Sequence, residues 1–278
     1  VAKLISSQAV DPTASQVQNG RQRLPAHDVV GDIAIVNLGL GIVQDEQQLA
    51  AAILASNRRI KVVAARAGQY GGEFRTATLR ILAGENRLET EVKEFGVRLR
   101  LDVGKVYYSV RSGQERYRIA ALVDPEEEVL VLFSGVGPYP LVINRFARPR
   151  LIVGIEKNPI AHEYGLQNII RNGVPGNIEL QCGDARDLLK HQCRQFDRMV
   201  MPLPTGAEGF LDLAIPLLRP GGWLHYYDMQ VKEKFGASAE VVKAACRRMA
   251  REAENVAIHR CGHCSPHAYR ICIDARIR

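Results

Sequence analysis

The sequence predicts an α/β protein in which a mainly parallel sheet, wound on both faces, follows a smaller α+β domain. Three observations carry this. Residues 129–133 are a run of branched apolar side chains that enters a tight turn at Ser134-Gly-Val-Gly137, with a second apolar run from Leu141. Beyond that turn, strand-like and helix-like stretches alternate. The last two strand-like stretches, 256–259 and 268–274, are separated only by 260–267, so they should pair antiparallel at the sheet edge.

In chain order, residues 1–27 are polar and poor in large apolar side chains, the pattern of a loose extension. Residues 31–37 form the first strand and 47–55 the first helix. Strand-like pieces follow at 60–64, 72–76 and 78–82. Residues 89–102 alternate polar and apolar, as a hairpin with one wet face does. Together 28–121 read as a small α+β RNA-binding domain and 122–278 as the catalytic domain. In the second part, strands are expected at 151–156, 177–182, 197–201 and 223–228. Helices are expected from Asn158-Pro159 to Asn172, over 207–218, and over about 239–254.

The chain has 278 residues, a net charge of +7 and 37 Lys plus Arg, a balance suited to a polyanion such as RNA. No apolar run reaches the ~18 residues of a membrane span, and the first residues lack a signal-peptide core, so a cytoplasmic protein is expected. The six cysteines are then free thiols. Cys261-Gly-His-Cys264 has metal-like content, but it is one Cys-x-x-Cys without a distant partner pair. Buried strand thiols are the preferred reading, and no metal is expected.

In such a sheet, ligands sit beyond the carboxyl ends of the strands. Those ends carry Phe133 and the turn Gly135, Val136 and Gly137, then Glu156 with Lys157, then Asp184 with Ala185, then Pro202-Leu-Pro204. Glu156 follows Gly135 by 21 residues, the distance at which a carboxylate takes a ribose hydroxyl pair. Asp184 is placed to accept an adenine amine. A nicotinamide dinucleotide wants a third glycine and N–H donors where Pro138 and Pro140 stand. S-adenosylmethionine has no phosphate and tolerates this loop, so it is the expected cofactor. Upstream, Lys105, Arg111, Arg116 and Arg118 interleave with Tyr107, Tyr108 and Tyr117, a composition that suits phosphate neutralisation and base stacking.

Four ordered motifs, Lys105-Val-Tyr-Tyr-Ser-Val-Arg-Ser-Gly-Gln-Glu-Arg116, Phe133-Ser-Gly-Val-Gly-Pro-Tyr139, Glu156-Lys-Asn-Pro159 and Met201-Pro-Leu-Pro-Thr-Gly-Ala-Glu-Gly-Phe-Leu211, resemble the archaeal and eukaryotic type of tRNA (guanine(37)-N1)-methyltransferase. Gly31-Asp-Ile-Ala-Ile-Val and Gly72-Glu-Phe-Arg extend the resemblance to about residues 28–278. It implies a class I S-adenosylmethionine methyltransferase fold with a seven-stranded sheet, and methyl transfer to N1 of the guanine beside the tRNA anticodon. It also implies donors from Arg116 to guanine O6 and a carboxylate base, for which Glu156 is a candidate beside its cofactor duty. Pro202 and Pro204 would grip the flipped base through backbone carbonyls.

The sequence departs from the family pattern at three places. Pro202 replaces an asparagine, Val110 replaces a proline, and the extra N-terminal domain is absent or reduced to 1–27. Pro202 keeps open two wyosine-pathway readings, aminocarboxypropyl transfer and methylation of a tricyclic precursor. An inactive RNA-binding relative is a further alternative, opposed by the intact turn, Glu156 and Asp184.

Overall fold

The computed structural model describes residue 24 and residues 26–38, 46–174, 176–265 and 267–278; most of the expected 1–27 extension lies outside these. The chain first builds a four-stranded sheet in the order β1-β2-β3-β4 from β1 (His27–Val30), β2 (Ile33–Asn37), β3 (Val62–Gly71) and β4 (Thr76–Gly84). The single strand expected from residue 31 is instead the second arm of a hairpin. Gly31, at φ +59°, makes its turn, and the Thr90 hydroxyl accepts from Asp32 N–H. Helix α1 (Glu46–Ser56) covers one face through Ala50 and Ile53. Residues 72–75, expected to be extended, turn back on themselves between β3 and β4, with Gly72 and Arg75 both at positive φ.

Hairpin β5 (Glu89–Glu94) and β6 (Val97–Asp102) has the wet face its alternation implies: Arg98 pairs with Glu91 and Arg100 with Glu89. Its dry face, Val92, Leu99 and Leu101, belongs to one core with Val129, Val131, Leu141 and Ile143 of the larger unit. A fully buried side-chain amide, Asn168, clamps the joint. It accepts from Arg100 N–H at 2.8 Å and donates to the carbonyls of Arg100 and Val136 at 3.0 Å. Because buried polar groups must be paired, this clamp fixes the hairpin against the glycine turn.

After α2 (Gly113–Ala120), the second sheet begins with β7 (Glu128–Leu132), α3 (Pro138–Phe146), β8 (Leu151–Glu156), α4 (Pro159–Arg171), β9 (Ile178–Cys182), α5 (Ala185–Lys190) and β10 (Phe196–Met201). It closes with α6 (Leu211–Ala214), β11 (Leu218–Val231), α7 (Phe235–Arg248), β12 (Ala253–His263) and β13 (Ala268–Ile277). The seven strands lie in the order β12-β13-β11-β10-β7-β8-β9. The run from β11 to β9 is parallel, and β13 and β12 are antiparallel, as expected.

The helix boundaries differ from expectation where the backbone breaks. Residues 207–217 are two 3-10 turns flanking one turn of α-helix, with Pro216 in the second, and Leu218, expected to end the helix, begins β11. The long helix starts at Phe235 and stops at Arg248, because Ala250 turns to φ +53° and releases 253 onward into β12. No described helix is long and apolar enough to cross a membrane.

Sheet and turn pack without spare volume. A Cβ on Gly154 of β8 would lie 2.5 Å from Leu180 Cδ2 and 3.1 Å from Ser134 Oγ, the buried hydroxyl of the turn. Gly154→Ala is therefore expected to cost about 1–3 kcal/mol through overpacking, read as a lowered midpoint in denaturant unfolding.

Candidate active site

At the end of β7 the chain reverses over four residues. Phe133 itself is at φ +55°, a costly left-handed conformation for a side-chain-bearing residue, and Gly135 and Gly137 are at +57° and +86°. The reversal is held by three contacts. Ser134 N–H donates to the Ile155 carbonyl at 2.9 Å, Gly137 N–H to the Ser134 carbonyl at 3.0 Å, and Gly135 N–H to Glu156 Oε2 at 2.7 Å. Glu156 accepts through its other oxygen from Asn158 N–H at 2.7 Å. One carboxylate thus ties the turn after β7 to the turn after β8. Burial pushes the Glu156 pKa up, and the N–H donors from Asn158 and Gly135 only partly offset that.

Asn158 caps α4 by accepting from Ile160 N–H at 3.0 Å, while its amide donates to the Lys105 carbonyl at 2.9 Å. Asp184 caps α5 through Arg186 N–H at 2.8 Å and pairs with Lys157 at 2.6 Å, contacts that hold its carboxyl below the usual range.

These groups line a cavity of about 440 Å³. Phe133, Gly135, Glu156, Lys157, Asp184, Ala185, Pro202 and Pro204, all singled out in the sequence, lie on its wall. Val136 does not. Its side chain is fully buried in the core. Gly137 is also off the cavity wall and faces Gly165 of α4, where a Cβ would meet its Cα at 3.7 Å. The sequence reading missed Glu73 and Arg75, which reach the cavity from the first domain. Lys157 pairs with Glu73, and Arg75 donates to the Thr205 carbonyl at 2.6 Å. The Gly72-Glu-Phe-Arg motif was the available signal. Phe210, stacked edge-on with Phe133 at 5.0 Å and covered by Arg186 at 4.2 Å, closes the far side.

The cavity fits S-adenosylmethionine chemically. It offers a buried carboxylate for hydroxyls, a second carboxylate beside small Gly183 and Ala185, an aromatic wall, and a glycine where the nearest atom to an added Cβ is 4.0 Å away.

A second, smaller cavity of about 80 Å³ adjoins the first. The two share Tyr107, Phe133, Gly135, Pro202 and Pro204; the second adds Tyr108, Ser112, Arg116, Tyr139, Tyr227 and Arg270. Arg116 is buried at 3% exposure, forked onto Glu94 with Nε to Oε1 at 2.6 Å. Tyr108 donates to the same carboxylate at 2.7 Å. Burial works against the Arg116 cation, but the Glu94 pairing outweighs it.

The other arginines expected to touch RNA are differently placed. Arg111 is exposed and paired with Asp28 at 2.7 Å. Arg118 is committed inside the protein, to Glu115 at 2.7 Å and Asp274 at 2.6 Å, which takes it out of direct phosphate binding. Lys105 is exposed beside Asp102 at 3.5 Å.

Behind the smaller cavity runs a buried polar chain that sequence reasoning did not foresee. Tyr139 donates to Tyr227 at 3.1 Å and Tyr227 to Glu115 at 2.6 Å. Arg118 bridges Glu115 and Asp274, and His225 Nδ1 contacts Asp274 at 2.7 Å. The signal for Glu115 is its place in the Lys105–Arg116 motif, one residue before Arg116. Burial alone would raise the Asp274 pKa, yet His225 and Arg118 hold it well below the usual carboxylate range. Burial lowers the His225 pKa, with the Asp274 contact working against it. One guanidinium therefore serves two carboxylates, so the Glu115–Arg118–Asp274 trio is one negative by formal charge, with His259 Nε2 3.3 Å from Asp274.

His225, Cys272 and Asp274 offer ligand atoms within 4.8 Å of one another, with Arg118 on Asp274 and Arg198 at 2.8 Å from His225 filling the cationic positions. Of the Cys-x-x-Cys pair, Cys261 is half-buried within β12 and Cys264 is exposed past its end.

Comparison with known proteins agrees with this geometry. Residues 90–258 match the family described as TRM5/TYW2 methyltransferase domain, and residues 18–87 match the TYW2 N-terminal domain. The chain is 32% identical, over 94% of its length and 77% of the relative's, to tRNA (guanine(37)-N(1))-methyltransferase Trm5b of Pyrococcus abyssi. The crystal structure of that protein superposes with a TM-score of 0.82, covering 91% of this chain and 75% of that one. The chain is also 31% identical to tRNA 4-demethylwyosine(37)-methyltransferase Taw21 of Saccharolobus solfataricus, over 72% of this chain and 76% of the relative. The complex of aTrm5 with tRNALeu superposes with a TM-score of 0.80 at 29% identity, covering 91% of this chain and 72% of that one.

Proposed function

Because the chain belongs to the TRM5/TYW2 methyltransferase family, we propose that it methylates N1 of guanosine 37 in tRNA, beside the anticodon, using S-adenosylmethionine. The observation that carries this reading is the pair of adjoining cavities, with the cofactor groups on one side of Pro202-Leu-Pro204 and an arginine-lined pocket on the other. With tRNA as substrate, the cytoplasm is its place of work.

Glu156, Asp184, Phe133 and Gly135 would hold the cofactor, with Lys157 orienting Asp184. Bound S-adenosylmethionine supplies an electrophilic methyl group. The protein must remove a proton from guanine N1 and stabilise charge on O6. Base duty falls to Glu115 rather than Glu156, which sits in the cofactor cavity with each oxygen already accepting an N–H. Glu94, the other buried carboxylate beside the acceptor pocket, is neutralised one-to-one by Arg116. Glu115 belongs to the trio with net negative charge and touches the pocket through Tyr227. As N1 takes the methyl group, its proton passes to the Tyr227 oxygen while the Tyr227 proton moves to Glu115. Burial keeps the Tyr227 pKa far above neutrality, so both transfers occur together and no phenolate accumulates. Pro202 and Pro204 present acceptors without N–H donors to the base edge, and Arg116 offers its remaining N–H groups.

The test is incubation with unmodified tRNA transcript and cofactor labelled separately in its methyl and aminocarboxypropyl carbons, followed by nucleoside mass spectrometry. Methyl on N1 of guanosine 37 is expected. Aminocarboxypropyl transfer, or methyl only on a tricyclic base, would move the chain to the wyosine side of its family. In the same assay, Glu156→Ala should weaken cofactor binding by about 10–100-fold by calorimetry, since it removes a carboxylate contact and frees the turn. Unchanged affinity would refute its placement.

A further inference from the structure

The charges around the acceptor pocket are not evenly balanced. Arg116 is neutralised by Glu94, and Arg118 is shared by Glu115 and Asp274. Arg270, on β13, lines the same pocket and has no such partner. Its Nη2 donates to the Cys261 carbonyl at 3.2 Å, and among the described residues no carboxylate oxygen lies within 4.0 Å of the guanidinium.

Its position is built by the sheet edge. The β12–β13 register slips between Arg260 and Gly262, opposite Ile271 and Arg270, and such bulges re-aim side chains beside active sites. Gly262 lacks the Cβ that would approach Arg270 Nη2 at 3.7 Å. The neighbouring cation, Arg260, lies instead over the Tyr269 ring at 5.2 Å. Across the pocket stand Pro202 and Pro204, which offer the base no N–H. A guanine placed there presents O6 and N7 on one edge, and a guanidinium fork is the side chain that matches those two acceptors.

We infer that Arg270 is a specificity-determining residue of this methyl transfer: it grips the O6/N7 edge of the acceptor guanine and places an unpaired guanidinium beside O6 as N1 loses its proton. This rests on the guanosine reading above. Arg116 and Arg270 then divide the work. The first, neutralised by Glu94, offers the base its remaining N–H groups, and the second brings an unpaired charge.

The experiment is single-turnover methylation of transcripts carrying guanosine or 7-deazaguanosine at position 37, with wild type, Arg270→Ala and Arg270→Lys. Wild type should lose about 10-fold on 7-deazaguanosine, the scale of one lost edge contact. Arg270→Ala should lose about 100-fold on guanosine, show no further loss on 7-deazaguanosine, and bind S-adenosylmethionine as wild type does. Arg270→Lys, which keeps charge but not the fork, should recover part of the rate and none of the N7 dependence. A full rate in Arg270→Ala, or a 7-deaza penalty of equal size in that variant, overturns the assignment while leaving the guanosine reading standing. A wild-type enzyme silent on guanosine 37 overturns both.

Discussion

Glu115→Gln is expected to cut the rate of methyl transfer by about 10³-fold with cofactor affinity unchanged, within the range by which positioned acid–base groups accelerate reactions. Glutamine keeps the shape and still accepts from Tyr227, which donates to Glu115 at 2.6 Å, but it cannot take the proton. It also removes one of the two carboxylates that share Arg118, leaving the arginine to Asp274 at 2.6 Å and the cluster neutral. Single-turnover kinetics with saturating tRNA separates this from a binding defect. The companion substitution Tyr227→Phe should lose rate as well, because it breaks the path while leaving the carboxylate in place. A Glu115→Gln enzyme within threefold of wild type would return base duty to another group.

Arg116→Ala is expected to damage both stability and rate. The guanidinium lies at 3% exposure against a Glu94 carboxylate at 9%, so truncation leaves a buried charge without its partner, at about 3–5 kcal/mol. Tyr108 would still donate to Glu94, which softens the loss but does not neutralise it. The two effects are separable by removing both charges. Replacing a buried pair with apolar residues of similar volume is often neutral for stability, so Arg116→Met with Glu94→Leu should regain most of the unfolding free energy. That double variant should still methylate at least 100-fold more slowly than wild type while binding S-adenosylmethionine normally, if the Arg116 donors act on the base. Recovery of both stability and rate would make Arg116 a purely structural residue.

Much of the larger cavity's wall was legible because its groups sit at strand ends that local sequence marks. A branched apolar run followed by glycines gives β7 and its turn. Short strands ending in Glu156 and Asp184 give the other two rims. Val136 and Gly137 show the limit of that reading. They lie in the motif, but the turn folds Val136 into the core and sets Gly137 against Gly165, so neighbours in sequence face opposite ways. The hairpin at 89–102 was recognisable from alternation alone, whereas its docking through Asn168 was not, since an asparagine in a helix gives no sign of a partner 68 residues away.

By itself, then, the sequence determined the alternating order of strands and helices, the antiparallel closing strand, the strand ends that line the larger cavity, and, through its ordered motifs, the family. These depend on backbone preferences and on apolar periods of two or about 3.6 residues, which are local. Only the tertiary structure decided which charges remain uncompensated around the acceptor. Arg116 and Glu115 come from one helix, and Tyr227 and Arg270 from two strands far away in the chain. Whether a guanidinium there is neutralised or free depends on partners such as Glu94 and Asp274, contributed by other strands. Electrostatic interaction falls with distance through space, not along the chain, and burial sets its strength.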